Sequence, residues 1–99
     1  MTRVIVAPVV RRELIEIGAF IEADSPNRAA SFIMELEEKT RSLVHFPRKY
    51  RLREDIAPGI RLATHGRYAI LFRYRVDDDA VDVLHIVDGT RDLRRLFGR

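Results

Sequence analysis

Apolar and polar residues alternate at helical spacing through the first part of the chain, after one short extended run. Residues 3–7 form an apolar run that predicts a strand, and Pro8 suits the first turn of a helix, where its missing N–H is not needed. Polar residues of this helix, including Arg12, Glu13 and Glu16, are expected on the faces away from its apolar stripe. The stripe consists of Val10, Leu14, Ile17, Phe20 and Ile21.

A break at Asp24-Ser25-Pro26 predicts a second helix, with Ser25 as the N-cap and Pro26 as the first helical residue. We expect this helix to end before Pro47. Glu35 and Lys39 are four residues apart in the favourable order, which predicts a solubilising ion pair on its surface. Its buried stripe consists of Ala29, Phe32, Ile33, Leu36 and Leu43.

The second half of the chain has the alternation of strands. Residues 47–59 mix proline, glycine and charge without a period and predict a surface connection. Three strands follow, at residues 60–64, 67–76 and 81–87, and Thr90 can cap a last helix. The order predicts an α+β fold with an N-terminal strand, an α-helical hairpin packed on one side of a three-stranded antiparallel sheet, and a short C-terminal helix.

Parity sets the pairing of the last two strands, because a slip of one residue exchanges the two faces of a strand. A turn centred between Asp77 and Asp78 places apolar residues opposite one another on one face. The predicted partners are Tyr74 and Val81, Phe72 and Val83, Ile70 and His85, and Tyr68 and Val87. On the other face the same register predicts two ion pairs, Arg73 with Asp82 and Arg67 with Asp88.

Composition narrows the class of protein. The 99 residues are 46% hydrophobic and 33% charged, which predicts a single globular domain spanning residues 1–99. No apolar run approaches the roughly 20 residues that cross a bilayer, so we expect a soluble, cytoplasmic protein without membrane contact. There is no cysteine, and the three histidines lack metal-ligand spacing, so neither a metal nor a cofactor is predicted.

The charge is concentrated in the middle of the chain. Residues 41–75 contain nine arginines and lysines, against Glu54 and Asp55 as the only acidic residues. Most cations of the protein are arginine, whose planar guanidinium binds carboxylate or phosphate in a bidentate manner. The partner is therefore expected to be acidic, either a protein or a nucleic acid.

Several short motifs follow one another in an order typical of one family. They are Leu43 before Phe46-Pro47, then Gly59-Ile60-Arg61, Gly66-Arg67-Tyr68 and Gly89-Thr90-Arg91-Asp92. In this order and spacing the chain resembles the ParE/RelE toxins of bacterial type II toxin-antitoxin systems. The resemblance implies a hetero-oligomer with a ParD-like antitoxin, which would also provide the only, indirect, link to DNA. In the ParE branch it implies inhibition of DNA gyrase by protein contact, without catalysis.

The RelE branch offers the main alternative, a ribosome-dependent mRNA endonuclease. For this chemistry the chain could use Arg61, Arg73, His85 and Arg91 around the scissile phosphate. No tyrosine or histidine follows Arg91, and His85 shares a predicted apolar face, where a hydrogen-bonded core or interface histidine is expected. The ParE branch is therefore favoured. A third hypothesis is a degenerate toxin retained for autoregulation.

Two surfaces are predicted under the ParE hypothesis. His85 and Asp88 stand where many family members have basic residues, so the cations that follow them are the better candidates for a toxic surface. This surface would lie near the C-terminus and comprise Arg91, Arg94, Arg95 and Phe97. The antitoxin would fold on binding and lay apolar residues in the groove of the two helices, with acidic residues on the arginines. Its predicted contacts are Arg11, Arg12, Phe20, Phe32, Tyr50 and Arg61.

Overall fold

A four-stranded sheet carries two helices on one face in the computed structural model, which describes residues 1–98. The last residue of the predicted domain, Arg99, lies outside the described residues. The helices are α1 (Pro8–Glu22) and α2 (Pro26–Ser42). The strands are β1 (Arg3–Val6), β2 (Arg61–His65), β3 (Tyr68–Arg75) and β4 (Ala80–Asp88), in the spatial order β1-β4-β3-β2. Short 3-10 helices span Pro47–Lys49 and Leu93–Phe97.

The predicted α+β fold is confirmed, and the N-terminal strand has a defined place in it. Strands β2, β3 and β4 are antiparallel as predicted, whereas β1 joins the sheet as an edge strand parallel to β4. The register pairs Arg3 with Ala80 and Val6 with Val83. Among the described residues, β1 therefore pairs with β4 alone.

The main core fills the space between the helices and the sheet. Residues of α1 and α2, such as Val10 and Leu36, meet the large side chains of β3, of which Ile70 and Phe72 are fully buried. Tyr68, Ile70 and Phe72 share one face of β3, as predicted, and this is the face that packs on the helices. Burial of apolar area on this face is the main stabilising contribution to the fold.

A second, smaller cluster covers the opposite face of the sheet. Ile56, Ala57, Ile60 and Leu71 are buried there, and three residues of the last 3-10 helix pack against them: Leu93, Leu96 and Phe97. The prediction that residues 47–59 form a simple surface connection was therefore wrong in part, because Ile56 and Ala57 lie beneath the C-terminal residues. Both faces of the sheet are covered.

A β-bulge changes the register of β3 and β4 halfway along the hairpin. Tyr74 pairs with Val81 and Phe72 with Val83 as predicted, but the register shifts between Leu71 and Phe72. Beyond the shift the partners are Leu71 and His85, Ile70 and Ile86, and Tyr68 and Asp88, so the predicted pairs of Ile70 with His85 and Tyr68 with Val87 were wrong. The extra residue of a bulge lets β4 place apolar residues on both covered faces.

The ion pairs of the hairpin differ from the prediction at one arginine. Arg67 Nη2 lies 2.5 Å from Asp88 Oδ2, which confirms that pair. Arg73 is opposite Asp82 in the register, yet Asp82 binds Arg75, with 2.6 Å between Nε and Oδ2. Arg73 instead donates its Nε–H to the carbonyl oxygen of Pro58 at 2.8 Å.

Two predicted capping interactions are absent from the described helix ends. Ser25 occupies the N-cap position of α2 in an extended conformation, but its side chain makes no capping hydrogen bond. The C-terminal element begins at Leu93 after Asp92, so Thr90 is not its cap. Thr90 donates both its backbone N–H and its hydroxyl to Asp88 Oδ1, at 2.9 and 2.7 Å, in a turn that precedes the helix.

Glu35 connects α2 to the β2–β3 hairpin rather than pairing with Lys39. Arg28 donates to its two carboxylate oxygens at 2.6 and 3.1 Å, and His65 Nε2 lies 2.8 Å from Oε1. The hydrogen bond from Arg28, followed by that from His65, lowers the pKa of Glu35 to about 2. Phe32 lies under this network, with its ring centroid 5.1 Å from that of His65.

Replacing Glu35 by glutamine should make the stability of the protein less dependent on pH. A carboxylate with a lowered pKa stabilises the fold above its unfolded-state pKa and loses that contribution as the pH falls through its folded-state value. The wild type should therefore exceed Glu35→Gln in urea midpoint above about pH 4.5, and the difference should shrink toward pH 2. Urea unfolding at several pH values measures this, with Glu38→Gln as a control; equal differences for both variants would contradict the assignment.

Candidate functional site

A shallow groove runs between α1 and α2 on the surface that faces away from the sheet. Its cavity volume is about 680 Å³. The floor is formed by small residues of both helices, Gly18 and Ala19 of α1 and Ala29 and Ala30 of α2, with Leu14 and Ile33 beside them. Small side chains at a helix crossing leave room for an added element to approach closely. The groove fits the apolar face of a helix or an extended segment.

The six residues predicted to contact an antitoxin do not form one surface. Arg11 lines the groove, and Arg12 is exposed nearby on α1. Phe20 is 62% exposed but lines a different cleft, between α1 and the end of the sheet. The remaining three lie elsewhere: Phe32 beneath His65, Tyr50 against Phe72, and Arg61 bonded to backbone carbonyl oxygens of Arg48 and Tyr50.

The C-terminal segment, residues 89–98, lies across the second face of the sheet and presents cations outward. Leu93, Leu96 and Phe97 anchor it on the second cluster. Arg94 and Arg95 are exposed, with only long contacts of 3.7 and 3.6 Å to Asp92. Such exposed ion pairs contribute little and leave the guanidinium groups accessible.

Arg91 reaches a cleft of about 250 Å³ at the end of the sheet, with Phe20 and Arg67 on its other walls. Arg67 is engaged by Asp88, whereas Arg91 has no ion-pair partner within residues 1–98. Carboxylates of Glu13, Glu16 and Asp88 also line this cleft. Arg91 is therefore the more accessible of its two cations.

A buried carboxylate fixes the strand that leads into the C-terminal segment. Glu13 of α1 accepts the backbone N–H of Ile86 at 2.9 Å through Oε1, and its Oε2 lies 2.7 Å from His85 Nδ1. The His85 ring meets the Phe97 ring edge to face, with 5.5 Å between centroids, and the guanidinium of Arg73 lies over the Phe97 ring, 5.8 Å from its centroid. The chain Glu13, His85, Phe97 thus connects α1 to the C-terminal segment.

Comparison with known families decides the assignment. The model of the ParE toxin of the type II toxin-antitoxin system parDE matches residues 4–93. This chain belongs to the ParE toxin family. The ParE match includes both helices, strands β2, β3 and β4, all of β1 except Arg3, and the first residue of the C-terminal 3-10 helix.

Solved structures agree with the ParE fold. A chain of the chromosomal ParDE toxin-antitoxin system from P. aeruginosa superposes with a TM-score of 0.74 at 18% sequence identity, covering 89% of this chain and 95% of that one. At this identity the likeness concerns the fold. No curated protein sequence matches this ParE chain significantly.

The four residues considered for nuclease chemistry do not converge on one site in this ParE fold, although His85 and Arg73 both lie against the ring of Phe97. His85 is bound to Glu13, and its side chain is 17% exposed. Arg61 and Arg73 donate to carbonyl oxygens of Tyr50 and Pro58. Arg91 lines two clefts at the end of the sheet, and neither includes Arg61, Arg73 or His85. The geometry does not bring a base and a group of cations together around one substrate position.

Two residues with unusual environments in this ParE chain were not singled out from the sequence. Glu13 was expected on a polar face, yet it is buried; its spacing of three and four residues from Val10 and Ile17 is the signal that could have revealed this. Phe46 is 79% exposed in a left-handed conformation, with φ 56° and ψ 57°. No local pattern predicts that conformation for a residue before proline.

No helix within residues 1–98 is long and apolar enough to span a membrane.

Proposed function

We propose that this ParE toxin inhibits DNA gyrase by protein contact and that a ParD-like antitoxin neutralises it in the cytoplasm. The observation that carries the proposal is the accessible row of cations on the anchored C-terminal segment. Arg91, Arg94 and Arg95 are exposed, and Phe97 holds the segment in place by packing on the sheet. A rigid, positively charged surface suits the recognition of an acidic protein surface, because ordering it on binding costs little entropy.

Protein contact is preferred over RNA cleavage because of where the candidate catalytic groups lie. His85 is held by a carboxylate and an aromatic ring, and the arginines of β2 and β3 are used within the chain. General acid–base catalysis needs these groups within hydrogen-bond reach of one substrate. Because these groups are engaged within the chain and do not converge on one open position, the arrangement supports a toxin that acts as a binder and not as an enzyme.

A supercoiling reaction with purified DNA gyrase tests the proposal directly. We expect the free toxin to stop supercoiling and an equimolar amount of cognate antitoxin to restore it. A translation reaction run in parallel, with the message examined for breaks, should show intact mRNA. Cleaved mRNA with normal supercoiling would reject the gyrase proposal and favour the ribonuclease.

For the antitoxin, the proposal assigns the groove between α1 and α2 as the main docking site. The groove is lined by small apolar residues, with Arg11 at its edge, so it can receive an apolar segment that also carries acidic side chains. A tail that folds in this groove would bury apolar area and neutralise charge together. The complex is therefore proposed to be a hetero-oligomer, with any DNA contact made by the antitoxin.

Replacing Ala30 by arginine should weaken antitoxin binding by about 100-fold, since a large side chain would fill the groove and a disrupted anchor contact costs about 2–3 kcal/mol. Ala30 is exposed, so the fold should be unaffected. Isothermal titration with the antitoxin measures the change. The matched control is Ser31→Arg, the same kind of substitution on another face of α2. Equal affinities for the two variants would place the antitoxin elsewhere.

A further inference from the structure

The corner between α2 and β2 carries an exposed aromatic residue in a costly conformation. Phe46 has φ 56° and ψ 57° and is followed by Pro47, and both facts disfavour this backbone for a bulky residue. The conformation is held by its surroundings: Pro47 is buried, and the carbonyl oxygen of Phe46 accepts the N–H of Lys49 at 3.0 Å. Strained residues of this kind are concentrated at functional sites.

Two cations, Arg48 and Lys49, line the same notch as Phe46, and a third, Lys39, lies over the ring of Tyr50. Arg48 lies over the ring of Tyr74 at 5.6 Å, and Lys39 and Lys49 lie over the ring of Tyr50 at 5.5 and 5.2 Å. These contacts hold the long side chains against the surface. Arg48, Lys49 and Lys39 have no ion-pair partner in the described part of the chain. The corner is therefore positively charged around an apolar centre.

A notch of about 540 Å³ lies beside the Phe46 side chain, between Pro47 and Tyr74. The hydroxyl of Tyr74 is already donated to Asp79 Oδ1 at 2.8 Å, so it offers no free donor to a ligand. A nucleobase would find little to bond with its edges there. An apolar side chain, flanked by carboxylates that meet the cations, would match both the walls and the rim.

We propose that this corner, comprising Phe46, Pro47, Arg48, Lys49 and Tyr74, is a second docking point for the toxin's folded protein target. The inference rests on the proposed function. A protruding aromatic ring fits a preformed apolar pocket of a folded enzyme at a lower ordering cost than a tail that must fold around it. The partner surface is an apolar pocket with an acidic rim.

The position of the corner supports a target over an antitoxin tail in the helix groove. The notch and the groove share none of their lining residues. Tyr74 is near the end of β3, whereas Asp88, which leads into the C-terminal segment, pairs with Tyr68 at the start of that strand. The corner also lies on the other side of the sheet from the C-terminal segment, because Tyr74 packs with the main core and Leu93, Leu96 and Phe97 pack on the second cluster. A tail seated in the helix groove therefore leaves the corner open to the target.

The test compares Phe46→Asn with the wild type. Asparagine tolerates the left-handed conformation, so the variant removes the aromatic ring and should keep the fold. We expect the concentration that half-inhibits gyrase supercoiling to rise at least tenfold, together with a matching loss of binding to immobilised gyrase holoenzyme. Antitoxin affinity should stay within twofold. Val76→Asn, which also removes an exposed apolar side chain, is the control and should resemble the wild type.

The charges are tested by the double variant Arg48→Glu, Lys49→Glu, which should lose inhibition more strongly at low salt than at high salt. If gyrase is inhibited equally by the wild type and Phe46→Asn, the inference is overturned and the proposed function stands. A parallel loss of antitoxin affinity would assign the corner to the antitoxin, and a loss confined to DNA binding would assign it to nucleic acid; either result overturns the inference. If the wild type does not bind gyrase, the proposed function fails and this inference fails with it.

Discussion

Replacing Arg91, Arg94 and Arg95 together by glutamine is expected to abolish growth arrest and to weaken gyrase inhibition by 10- to 100-fold. The three side chains are exposed on the C-terminal segment, so the substitutions remove charge without disturbing packing. If each contact with an acidic partner contributes about 0.5–1 kcal/mol to binding, losing all three accounts for a 10- to 100-fold loss of affinity. Much of this loss should appear as slower association, because charges on a surface mainly steer the encounter.

The measurement is the supercoiling assay over a range of toxin concentrations, combined with growth curves after induction. The control changes the same number of charges elsewhere, as Arg3→Gln, Arg12→Gln and Arg41→Gln, and should retain gyrase inhibition. Full toxicity of the C-terminal variant would exclude the proposed surface. Deleting residues 91–99 is less informative, because it also removes the apolar cover formed by Leu93, Leu96 and Phe97.

Replacing Glu13 by alanine should destabilise the protein by about 2–4 kcal/mol. The substitution leaves the buried N–H of Ile86 without its acceptor and removes the partner of His85. An unsatisfied buried donor costs about 1–3 kcal/mol, and the lost bond to His85 adds to it. The edge-to-face contact of His85 with Phe97 should loosen as well, so the C-terminal segment should become more mobile.

Urea unfolding followed by circular dichroism measures this loss, and amide hydrogen exchange reports the mobility of residues 93–97. Glu13→Gln keeps an acceptor for Ile86 and should cost clearly less than alanine. The exposed neighbour Glu16→Ala serves as the control and should change stability by no more than about 0.5 kcal/mol. If Glu13→Ala and Glu16→Ala were equally stable, the buried carboxylate would not hold the strand as described.

Most elements of the fold follow from local patterns in the sequence. The two helices begin at Pro8 and Pro26, where proline suits the first turn, and every second residue of β3 from Tyr68 to Tyr74 packs on the helices. The bulge could not be located in this way. The alternation of apolar and polar residues identifies a register only when one face of the strand is polar. Here Leu71 and Leu84 belong to the second cluster, on the face that was assumed to be exposed, so both faces carry apolar residues.

The candidate surfaces were predictable to different degrees. Cations near a chain end are visible in the sequence, and so is the small-residue pattern of the helices. The roles of Arg61 and Arg73 were not, because their partners are backbone carbonyl oxygens of Tyr50 and Pro58, which no residue type signals. The left-handed Phe46 depends on the packing of Pro47 and on tertiary contacts that a local pattern does not contain.

The parallel pairing of β1 with β4 has a consequence for synthesis of the toxin. Arg3 finds its neighbour only at Ala80, and Glu13 finds His85 later still. During translation β1 cannot pair with β4, and Glu13 cannot bind His85, until nearly the whole chain has been made. Any product that terminates early lacks the strand that completes the sheet. A truncated chain therefore cannot form the complete sheet on which the C-terminal segment packs.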